Sequence, residues 1–405
     1  MHRFIEEKLR TPVTLSCGTA VAGGGIAGIS AALAAARHGA DVLLIEREFA
    51  PGGLATLGLI TCYLPICDGC GHQIIYGIGE ELLRLSVRHG AERKPPEAWF
   101  AGGTAEEKAK HRFKTYFNAS LFMLESEKLL KEAGVKILYG TSVCAAETSG
   151  EKITHLICEN KSGRFAVAVR SVIDATGDAD IAKFSGAGTE LFGQGNILAG
   201  WYYRFSRGER KCVMVGAADI PEEDKPFRKG PELLFPERFS GVDGTELSRM
   251  TELSHAATYA DWEKKLTDDP DSVPEAITSI PQVRMTRRIA GRALLDTSDE
   301  RRHFSDSVGL TGHWRKRGPV YEIPFGALCP EEVSNLLAAG RDISTTDAMW
   351  DVTRVIPVCA VTGEAAGTAA ALFDDFRLDG RQIKALQSAL HDAGVRTSLS
   401  EIDFD

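Results

Sequence analysis

The most informative part of this sequence is Ala20-Val-Ala-Gly-Gly-Gly-Ile-Ala-Gly-Ile-Ser-Ala-Ala-Leu-Ala-Ala-Ala-Arg-His-Gly-Ala-Asp-Val-Leu-Leu-Ile-Glu46. It predicts a strand, a tight glycine turn, a helix, a second strand and an acidic residue, in that order. Residues 31–36 favour a slim and stable helix, because they are mostly alanine, which has the highest helix propensity. Residues 42–45 have the continuous apolar character of a buried parallel strand.

The turn in this segment has the spacing of a phosphate-binding loop. Gly23, Gly25 and Gly28 form Gly-x-Gly-x-x-Gly. The first glycine permits a sharp turn, the second admits a pyrophosphate against bare backbone, and the third lets helix and strand pack closely. Glu46 follows Gly28 by 18 residues, close to the roughly 20 expected for a carboxylate that binds a ribose hydroxyl. We therefore predict a dinucleotide-binding unit; the alternative is a glycine turn in an ordinary α/β protein.

Composition narrows the class of protein. The chain has 405 residues, 43% hydrophobic and 25% charged, and a formal net charge of -9, as expected for a globular enzyme of two or three domains. The negative charge argues against binding to nucleic acid or an anionic membrane, and no run approaches the ~18 apolar residues of a membrane span. Nine cysteines, an odd number, and the charged residues 1–10 suit a reducing compartment, so we expect a cytoplasmic protein.

A cysteine-containing loop follows the second strand. Cys62, Cys67 and Cys70 are spaced C-x4-C-x2-C, which is compatible with a plant-type iron–sulfur site, if a distant fourth cysteine exists, or with a redox-active thiol pair. We favour a third interpretation, small residues in a glycine-rich loop over the cofactor, and predict no metal site. Histidine is the residue type whose side chain ordinarily titrates near neutral pH, so His72 in this loop is a candidate acid or base; the alternative is a solvated loop histidine.

Hydrophobic periodicity predicts the remaining organisation. Helices are expected over residues 79–89, 117–133, 244–266, 355–373 and 380–394, and strands over residues 135–139, 141–148, 152–159, 164–169 and 171–174. Residues 186–320 mix glycine, proline, charged and aromatic residues without buried-strand runs, which indicates an inserted α+β substrate or cap domain. The predicted fold class is α/β, with a Rossmann-like parallel sheet and β-meander in residues 13–185 and a return to the buried-strand character in residues 321–405.

Four separate segments together resemble a known family. They are the unit at residues 23–46, the turn Pro51-Gly-Gly53, the segment Ala175-Thr-Gly-Asp178, and Ala339-Gly-Arg-Asp342 with the helix that follows it. In combination they resemble the FAD-dependent oxidoreductases of the glutathione-reductase-like superfamily, nearest the fumarate reductase and succinate dehydrogenase flavoproteins. The resemblance covers most of residues 13–190 and 320–373 and is weak in the cap.

The resemblance implies that residues 13–185 and 321–405 form one discontinuous domain, with FAD as its cofactor and a set of contacts to it. The three glycines of the turn would hold the pyrophosphate, Glu46 the adenosine ribose, Val143 the adenine through its backbone, and Asp342 the ribitol or a phosphate. The helix that begins near Pro357 would face the flavin, where its N-terminus stabilises negative charge. The full set of expected cofactor residues is Gly23, Gly25, Gly28, Glu46, Arg47, Gly52, Gly53, Val143, Ala175, Thr176, Gly177, Gly340, Arg341, Asp342, Arg354 and Pro357.

Two departures limit what the resemblance implies. No second Gly-x-Gly-x-x-Gly follows residue 150, so the NAD(P)H-binding domain of the disulfide reductases is missing, and the acid–base arginine pattern of fumarate reductase is not recognisable.

Arg284, Arg288 and Arg292 recur every fourth residue and are predicted to share one helical face. Such a face suits an anionic or polyhydroxylated substrate; a solvated basic face is the alternative. The candidate catalytic residues are His72, Tyr321 and Arg288.

The predicted function is hydride transfer between a small polar or anionic organic substrate and N5 of FAD. The alternatives are an NAD-dependent Rossmann dehydrogenase and a flavin-binding subunit of an electron-transfer complex, whereas the net charge disfavours an RNA-modifying flavoprotein. The expected partners are a small-molecule substrate and an unidentified electron acceptor or donor, with no nucleic acid and no membrane. A homo-oligomer is left open.

Overall fold

The computed structural model of this chain describes residues 5–92, 96–226 and 229–404. The first four residues of the charged N-terminal segment therefore lie outside the described residues. The predicted strand–turn–helix–strand unit is present: one strand spans Val13–Ala22, a helix spans Ile26–Arg37 and a second strand spans Val42–Ile45.

The elements are numbered in chain order. The strands are β1 (Val13–Ala22), β2 (Val42–Ile45), β3 (Cys62–Tyr63), β4 (Thr115–Tyr116), β5 (Lys136–Leu138), β6 (Ser142–Ser149), β7 (Lys152–Asn160), β8 (Gly163–Asp174), β9 (Thr189–Leu191), β10 (Gly200–Ser206), β11 (Glu209–Val215), β12 (Val273–Ile277), β13 (Arg287–Ile289), β14 (Ser307–Gly312), β15 (Val320–Pro324) and β16 (Leu336–Ala338). The helices are α1 (Ile26–Arg37), α2 (Ile78–Val87), α3 (Glu97–Phe100), α4 (Ala105–Lys110), α5 (Ala119–Glu132), α6 (Asp180–Ser185), α7 (Gly244–Leu266), α8 (Asp347–Thr353), α9 (Ile356–Leu372) and α10 (Gly380–Asp392).

The central sheet is seven-stranded, in the order β5-β2-β1-β8-β7-β6, with β16 also paired to β8. β5, β2, β1, β8 and β16 are parallel neighbours, and β7 and β6 extend the sheet as an antiparallel meander. Because parallel strands end at the same edge of a sheet, the turns that follow β1, β2, β8 and β16 meet there. This architecture confirms the predicted fold class.

One strand prediction is wrong. The sequence predicts separate strands over residues 164–169 and 171–174, whereas the structure has the single strand β8. Its first half pairs antiparallel with β7, and it continues in parallel pairing with β1 and β16. Half-buried meander strands and fully buried parallel strands differ in their apolar periodicity, so a change of neighbours along one strand looks like a break in the sequence.

Helices α1 and α9 cross through small residues on one side of this sheet. A Cβ added to Gly363 would lie 2.2 Å from the carbonyl oxygen of Ala27, and one added to Gly367 would lie 2.2 Å from that of Ala31. Neither position accepts a side chain without moving a helix backbone. The predicted helices over residues 355–373 and 380–394 are both confirmed, as α9 and α10.

The segment between β8 and β16 builds smaller antiparallel sheets, β11-β10-β12, β13-β9 and β14-β15, together with the long helix α7. The predicted helical face of three arginines is wrong. Arg288 lies in β13, opposite Glu190 of β9, and Arg284 precedes β13 in an irregular segment. Strand pairing overrides the four-residue recurrence, so the side chains of Arg284, Arg288 and Arg292 reach different parts of the molecule.

The described residues contain no single helix that is long and apolar enough to cross a membrane. α8 and α9 reach that composition only when taken together, and they are bent by 89° relative to each other. In the structure, α9 is buried along most of its length.

Candidate active site

A cavity of about 520 Å³ lies at the carboxyl ends of β1, β2 and β8 and extends into the segment between β8 and β16, the inserted segment. The part of the cavity lined by the turns at the sheet edge is the cofactor half, and the part lined by the inserted segment is the inserted half. Its volume falls within the ~300–1,000 Å³ typical of cofactor and small-molecule sites, and its position is where open parallel sheets bind ligands. The lining includes these predicted cofactor residues: Gly23, Gly25, Glu46, Arg47, Gly52, Gly53, Val143, Ala175, Thr176, Gly177, Gly340, Arg341 and Arg354. Gly28, Asp342 and Pro357 lie outside the lining.

The glycines of the first turn divide into two kinds. A Cβ on Gly23 would lie 2.4 Å from the carbonyl oxygen of Ala175, and one on Gly28 would lie 1.8 Å from that of Gly23. These two glycines are required by the packing of the protein backbone itself. Gly25 differs, because a Cβ there would meet nothing within 4 Å; it presents bare backbone to the cavity at the start of α1. A phosphate group can approach closely at such a place.

A second glycine turn supports the first. Gly52 has φ +104° and Gly53 has φ +52°, a left-handed conformation that glycine adopts without strain. The amide nitrogen of Gly52 donates to the carbonyl oxygen of Gly24 at 2.7 Å. The predicted Pro51-Gly-Gly53 turn therefore lies directly against the phosphate-binding turn.

Glu46 lies at the end of β2 with its carboxylate held by backbone donors. Oε2 accepts from the amide of Gly24 at 2.5 Å, and Oε1 accepts from the amide of Glu48 at 2.7 Å. Burial raises the pKa of the Glu46 carboxyl above its ordinary value. The carboxylate thus fixes the glycine turn and also borders the cavity, where the ribose hydroxyls were predicted to lie.

Asp342 does not line the cavity, but its side chain supports a turn that does. Oδ2 accepts from the amide of Gly177 at 3.0 Å and Oδ1 from the amide of Ala179 at 3.1 Å. Burial and the nearby Asp174 raise the pKa of Asp342 well above its ordinary value. The structure places this side chain as a support for the Thr176–Gly177 turn, and its predicted contact with the cofactor stays a prediction.

Arg341 joins the two halves of the cavity. Nη1 donates to the carbonyl oxygen of Val283 at 2.6 Å, and Nη2 lies 3.5 Å from Oδ1 of Asp178. Val283 belongs to the inserted segment, while Asp178 follows β8. The guanidinium therefore holds the inserted segment against the sheet edge.

Asp351 is enclosed by two arginines that line the cavity. Nε and Nη2 of Arg315 donate to its two oxygens at 2.5 and 3.0 Å, and Nη2 of Arg354 donates to Oδ1. Burial opposes the charge of Asp351, but Arg354 and Arg315 hold the pKa of its carboxyl below its ordinary value. Two guanidinium groups share one carboxylate, so one positive charge remains unbalanced beside the cavity.

Arg284 lines the same cavity with no carboxylate partner among the described residues. Nη2 donates to Oε1 of Gln282 at 3.1 Å, but Nε and Nη1 have no hydrogen-bond partner within the described parts of the chain. Burial, reinforced by Arg354 and Arg341, lowers the pKa of Arg284 to about 9. A buried guanidinium with free donors favours the binding of an anion.

The three predicted catalytic residues lie outside the cavity lining. Nδ1 of His72 is 2.7 Å from Oδ2 of Asp68. Tyr321 is buried in β15, and burial raises its pKa to about 12. Arg288 pairs with Glu190 at 2.8 Å and Asp347 at 3.3 Å. No contact with a substrate follows from these positions, and the catalytic roles stay predictions.

The cysteine loop is partly at the cavity. Cys62 lines it, Cys67 is buried elsewhere and Cys70 is exposed. None of the nine cysteines, all of which lie in the described residues, forms a disulfide bond. The described residues contain no group of three or more His, Cys, Asp or Glu side chains placed to hold a metal ion.

Trp201, Arg315 and Cys359 are among the lining residues that have no counterpart in the predicted set. Arg315 follows Trp314, which also lines the cavity, but its partner Asp351 is 36 residues away. Cys359 lies on the first turn of α9, so its place on the cavity follows from the predicted direction of that helix.

The fold and cavity define a dinucleotide-dependent enzyme, and a family match makes this specific. The chain belongs to the FAD-dependent oxidoreductase family, whose model matches residues 19–199 and 243–390. FAD is its cofactor, and the protein is an oxidoreductase. The open backbone at Gly25 and the glycine turn at Gly52 and Gly53 fit such a group. The resemblance drawn from the sequence is confirmed, and the NAD-dependent Rossmann dehydrogenase is no longer a competing interpretation.

Several solved structures are similar to this chain over most of its length, at low sequence identity. The p-nitrophenol 4-monooxygenase PnpA of Pseudomonas putida DLL-E4 is 11% identical with a TM-score of 0.48, over 93% of this chain and 84% of its own. A geranylgeranyl bacteriochlorophyll reductase-like protein of Thermoplasma acidophilum is 12% identical with a TM-score of 0.46, over 94% and 82%. A flavocytochrome c3 fumarate reductase is 14% identical with a TM-score of 0.40, over 91% and 79%. A search of curated proteins found no match.

Proposed function

We propose that this protein transfers a hydride between a small polar or anionic organic substrate and N5 of its flavin. Bound FAD supplies the two-electron chemistry. The protein residues bind and orient the substrate and exclude water. The observation that carries the proposal is the continuity of the cavity, which is lined both by the cofactor turns and by the inserted segment.

The charge of the inserted half supports an anionic or strongly polar substrate. Arg284 has two donor nitrogens without partners among the described residues, and the Arg315–Asp351–Arg354 group carries one excess positive charge. The N-terminus of α9 opens at Val355 and Ile356 on the same cavity and adds partial positive charge. All three contribute positive electrostatic potential, so each of them favours the binding of a negatively charged substrate.

Two further elements belong to the proposal. Turnover requires an electron acceptor or donor of unidentified chemistry besides the small-molecule substrate. A cytoplasmic location, expected from the cysteine content, is part of the same proposal.

The test is anaerobic mixing of the purified oxidised holoenzyme with small carboxylic acids, hydroxy acids and NAD(P)H, one at a time. We expect the visible flavin band to bleach with at least one organic substrate. Ala218→Trp should abolish that bleaching while FAD stays bound, because Ala218 lines the inserted half of the cavity. Ala260→Trp is the matched control, since Ala260 is exposed on α7.

Two outcomes would count against the proposal. Bleaching that Ala218→Trp leaves unchanged would place the reaction outside this cavity. Failure of every organic substrate, with reduction only by another protein, would favour the alternative of a flavin-binding subunit in an electron-transfer complex.

A further inference from the structure

The inserted half of the cavity contains one arginine whose position is fixed before any ligand arrives. The amide of Arg284 donates to Oδ1 of Asn196 at 3.0 Å, and its Nη2 donates to Gln282 at 3.1 Å. Gln282 is itself fixed, because its Nε2 donates to the carbonyl oxygen of Gly58 at 2.5 Å. Arg284 is therefore held at both its backbone and its guanidinium.

The same guanidinium is incompletely satisfied. Arg284 is 9% exposed, and neither Nε nor Nη1 has a hydrogen-bond partner among the described residues. Asp351 is close enough for its charge to act on Arg284, but its carboxylate is already shared by Arg315 and Arg354. Leaving a buried charged donor unsatisfied is costly, and that cost is recovered when an anion binds at this point.

The walls around Arg284 are mostly apolar. Trp201 lies with its ring centroid 5.9 Å from the guanidinium carbon, and Leu247, Ile280, Pro281 and Trp314 also line this half. Exposed Met214 and Lys114 line it as well and mark its mouth. A ligand that satisfies both the guanidinium and these walls carries one anionic group on an apolar or aromatic body.

We propose that Arg284 anchors the carboxylate of a monocarboxylic acid whose apolar body packs against Trp201 and its neighbours. The proposal deepens the proposed function, on which it rests for the identification of this ligand as the substrate. A short dicarboxylic acid such as succinate lacks the apolar body that would pack against Trp201 and its neighbours, so it binds less well.

The experiment is isothermal titration calorimetry on the oxidised holoenzyme with benzoate, hexanoate, benzamide and succinate. We expect saturable binding of benzoate or hexanoate. Benzamide and succinate should bind at least about tenfold more weakly, because benzamide cannot form the charge-assisted hydrogen bond to Arg284 and succinate lacks the apolar contact. This comparison uses only the unmodified protein. It is also independent of turnover, so failure of hydride transfer and failure of carboxylate binding are separate results.

Variants assign the binding to Arg284. Arg284→Gln should weaken benzoate binding by about 10- to 100-fold with an unchanged FAD content, and Arg284→Lys should recover part of the loss. Arg249→Gln is the control, because Arg249 is exposed on α7 and pairs only with Glu237 among the described residues.

Three results would overturn the proposal. The first is the absence of saturable heat with both benzoate and hexanoate. The second is equal affinity for benzoate and benzamide. The third is loss of FAD from folded Arg284→Gln, which would mean that this guanidinium serves the cofactor and not a substrate. If Arg284→Gln does not fold, the comparison of probes on the unmodified protein decides.

Discussion

Replacing Gly363 with alanine should force α1 and α9 apart and loosen the cofactor half of the cavity. The added Cβ would lie 2.2 Å from the carbonyl oxygen of Ala27 and 3.0 Å from the Cβ of Ser30. Carbon and oxygen atoms in contact settle at about 3.3 Å or more, so the two helices must separate locally by about 1 Å. The atom in the way belongs to the backbone and cannot rotate aside.

Two opposing effects set the magnitude. Alanine in a helix interior is better than glycine by about 1 kcal/mol, whereas overpacking a close-packed core costs about 1–3 kcal/mol and sometimes more. Because backbone must move, we expect the clash to prevail and lower the free energy of unfolding by about 1–2 kcal/mol. Ala27 also lines the cavity, so retention of FAD should fall as well.

The assay compares Gly363→Ala with two other glycine substitutions. Gly367 has the same 2.2 Å clash, with the carbonyl oxygen of Ala31, but Ala31 is outside the cavity lining. Gly380 begins α10, and a Cβ there meets nothing within 4 Å. Thermal unfolding is followed by circular dichroism and release of FAD by flavin fluorescence.

We expect Gly363→Ala and Gly367→Ala to unfold at lower temperature than the unmodified protein, and Gly380→Ala to match it. Gly363→Ala should release FAD most readily. Unchanged unfolding of both clash variants would refute the inference that glycine sets the distance between the helices. Reduced stability of Gly363→Ala with undiminished FAD retention would refute the link from helix spacing to the cofactor.

Three further predictions concern the cofactor turn and two buried carboxyl groups. Gly25→Ala should leave unfolding of the FAD-free protein unchanged, since the methyl group meets no protein atom within 4 Å, but should weaken FAD binding on the order of tenfold because the phosphates approach there; the ratio of flavin to protein absorbance measures this. Burial raises the pKa of Glu364 from 4.5 to about 8, so the protonated form is favoured by folding and the free energy of unfolding should fall as the pH rises through this interval. Glu364→Gln should flatten that dependence in denaturant titrations at about pH 5 and about pH 8.5. Asp351→Asn should lower the free energy of unfolding by about 3–5 kcal/mol, because it leaves Arg315 and Arg354 buried without a counter-charge.

Each of these has a distinct contrary result. A normal flavin content in Gly25→Ala would mean that the cofactor phosphates do not approach this turn. A pH dependence in Glu364→Gln equal to that of the unmodified protein would assign it to other groups. Glu151→Gln removes the exposed ion pair with Arg377 and is the control for Asp351→Asn. If both variants lower the free energy of unfolding equally, the buried Asp351 carboxylate stabilises the protein no more than an exposed one.

The sequence predicted most of the cofactor half because its signals are local. The glycine spacing, the apolar strands and the small residues of α9 each lie within one element, and the structure brings the turns that contain Gly23, Gly52, Gly177 and Gly340 to one cavity. The strand β8 was divided incorrectly because its neighbours change along its length. The periodicity of apolar residues reflects which faces of a strand are buried. Along β8 the buried faces change where the neighbouring strands change, so the pattern looks like two strands.

The inserted half was predicted poorly because its contacts are distant in sequence. Arg288 and Arg284 were predicted on one face, but pairing of β13 with β9 sends Arg288 to Glu190 and leaves Arg284 in the cavity. Distance in sequence also hid the backbone partners of Asp342, outside the inserted half, whose oxygens accept hydrogen bonds from amides 163 and 165 residues away. A single sequence carries no pattern from which such partners can be read.

Strand β16 has a consequence for how the protein is made. It joins the central sheet beside β8 although it lies at residues 336–338, and α9 follows it. As the chain leaves the ribosome, β1, β2 and β8 are complete while this edge of β8 is still open. We therefore expect the nascent protein to acquire its flavin late, after the inserted segment has emerged, because Gly340, Arg341 and Arg354 of the cavity lining all follow β16.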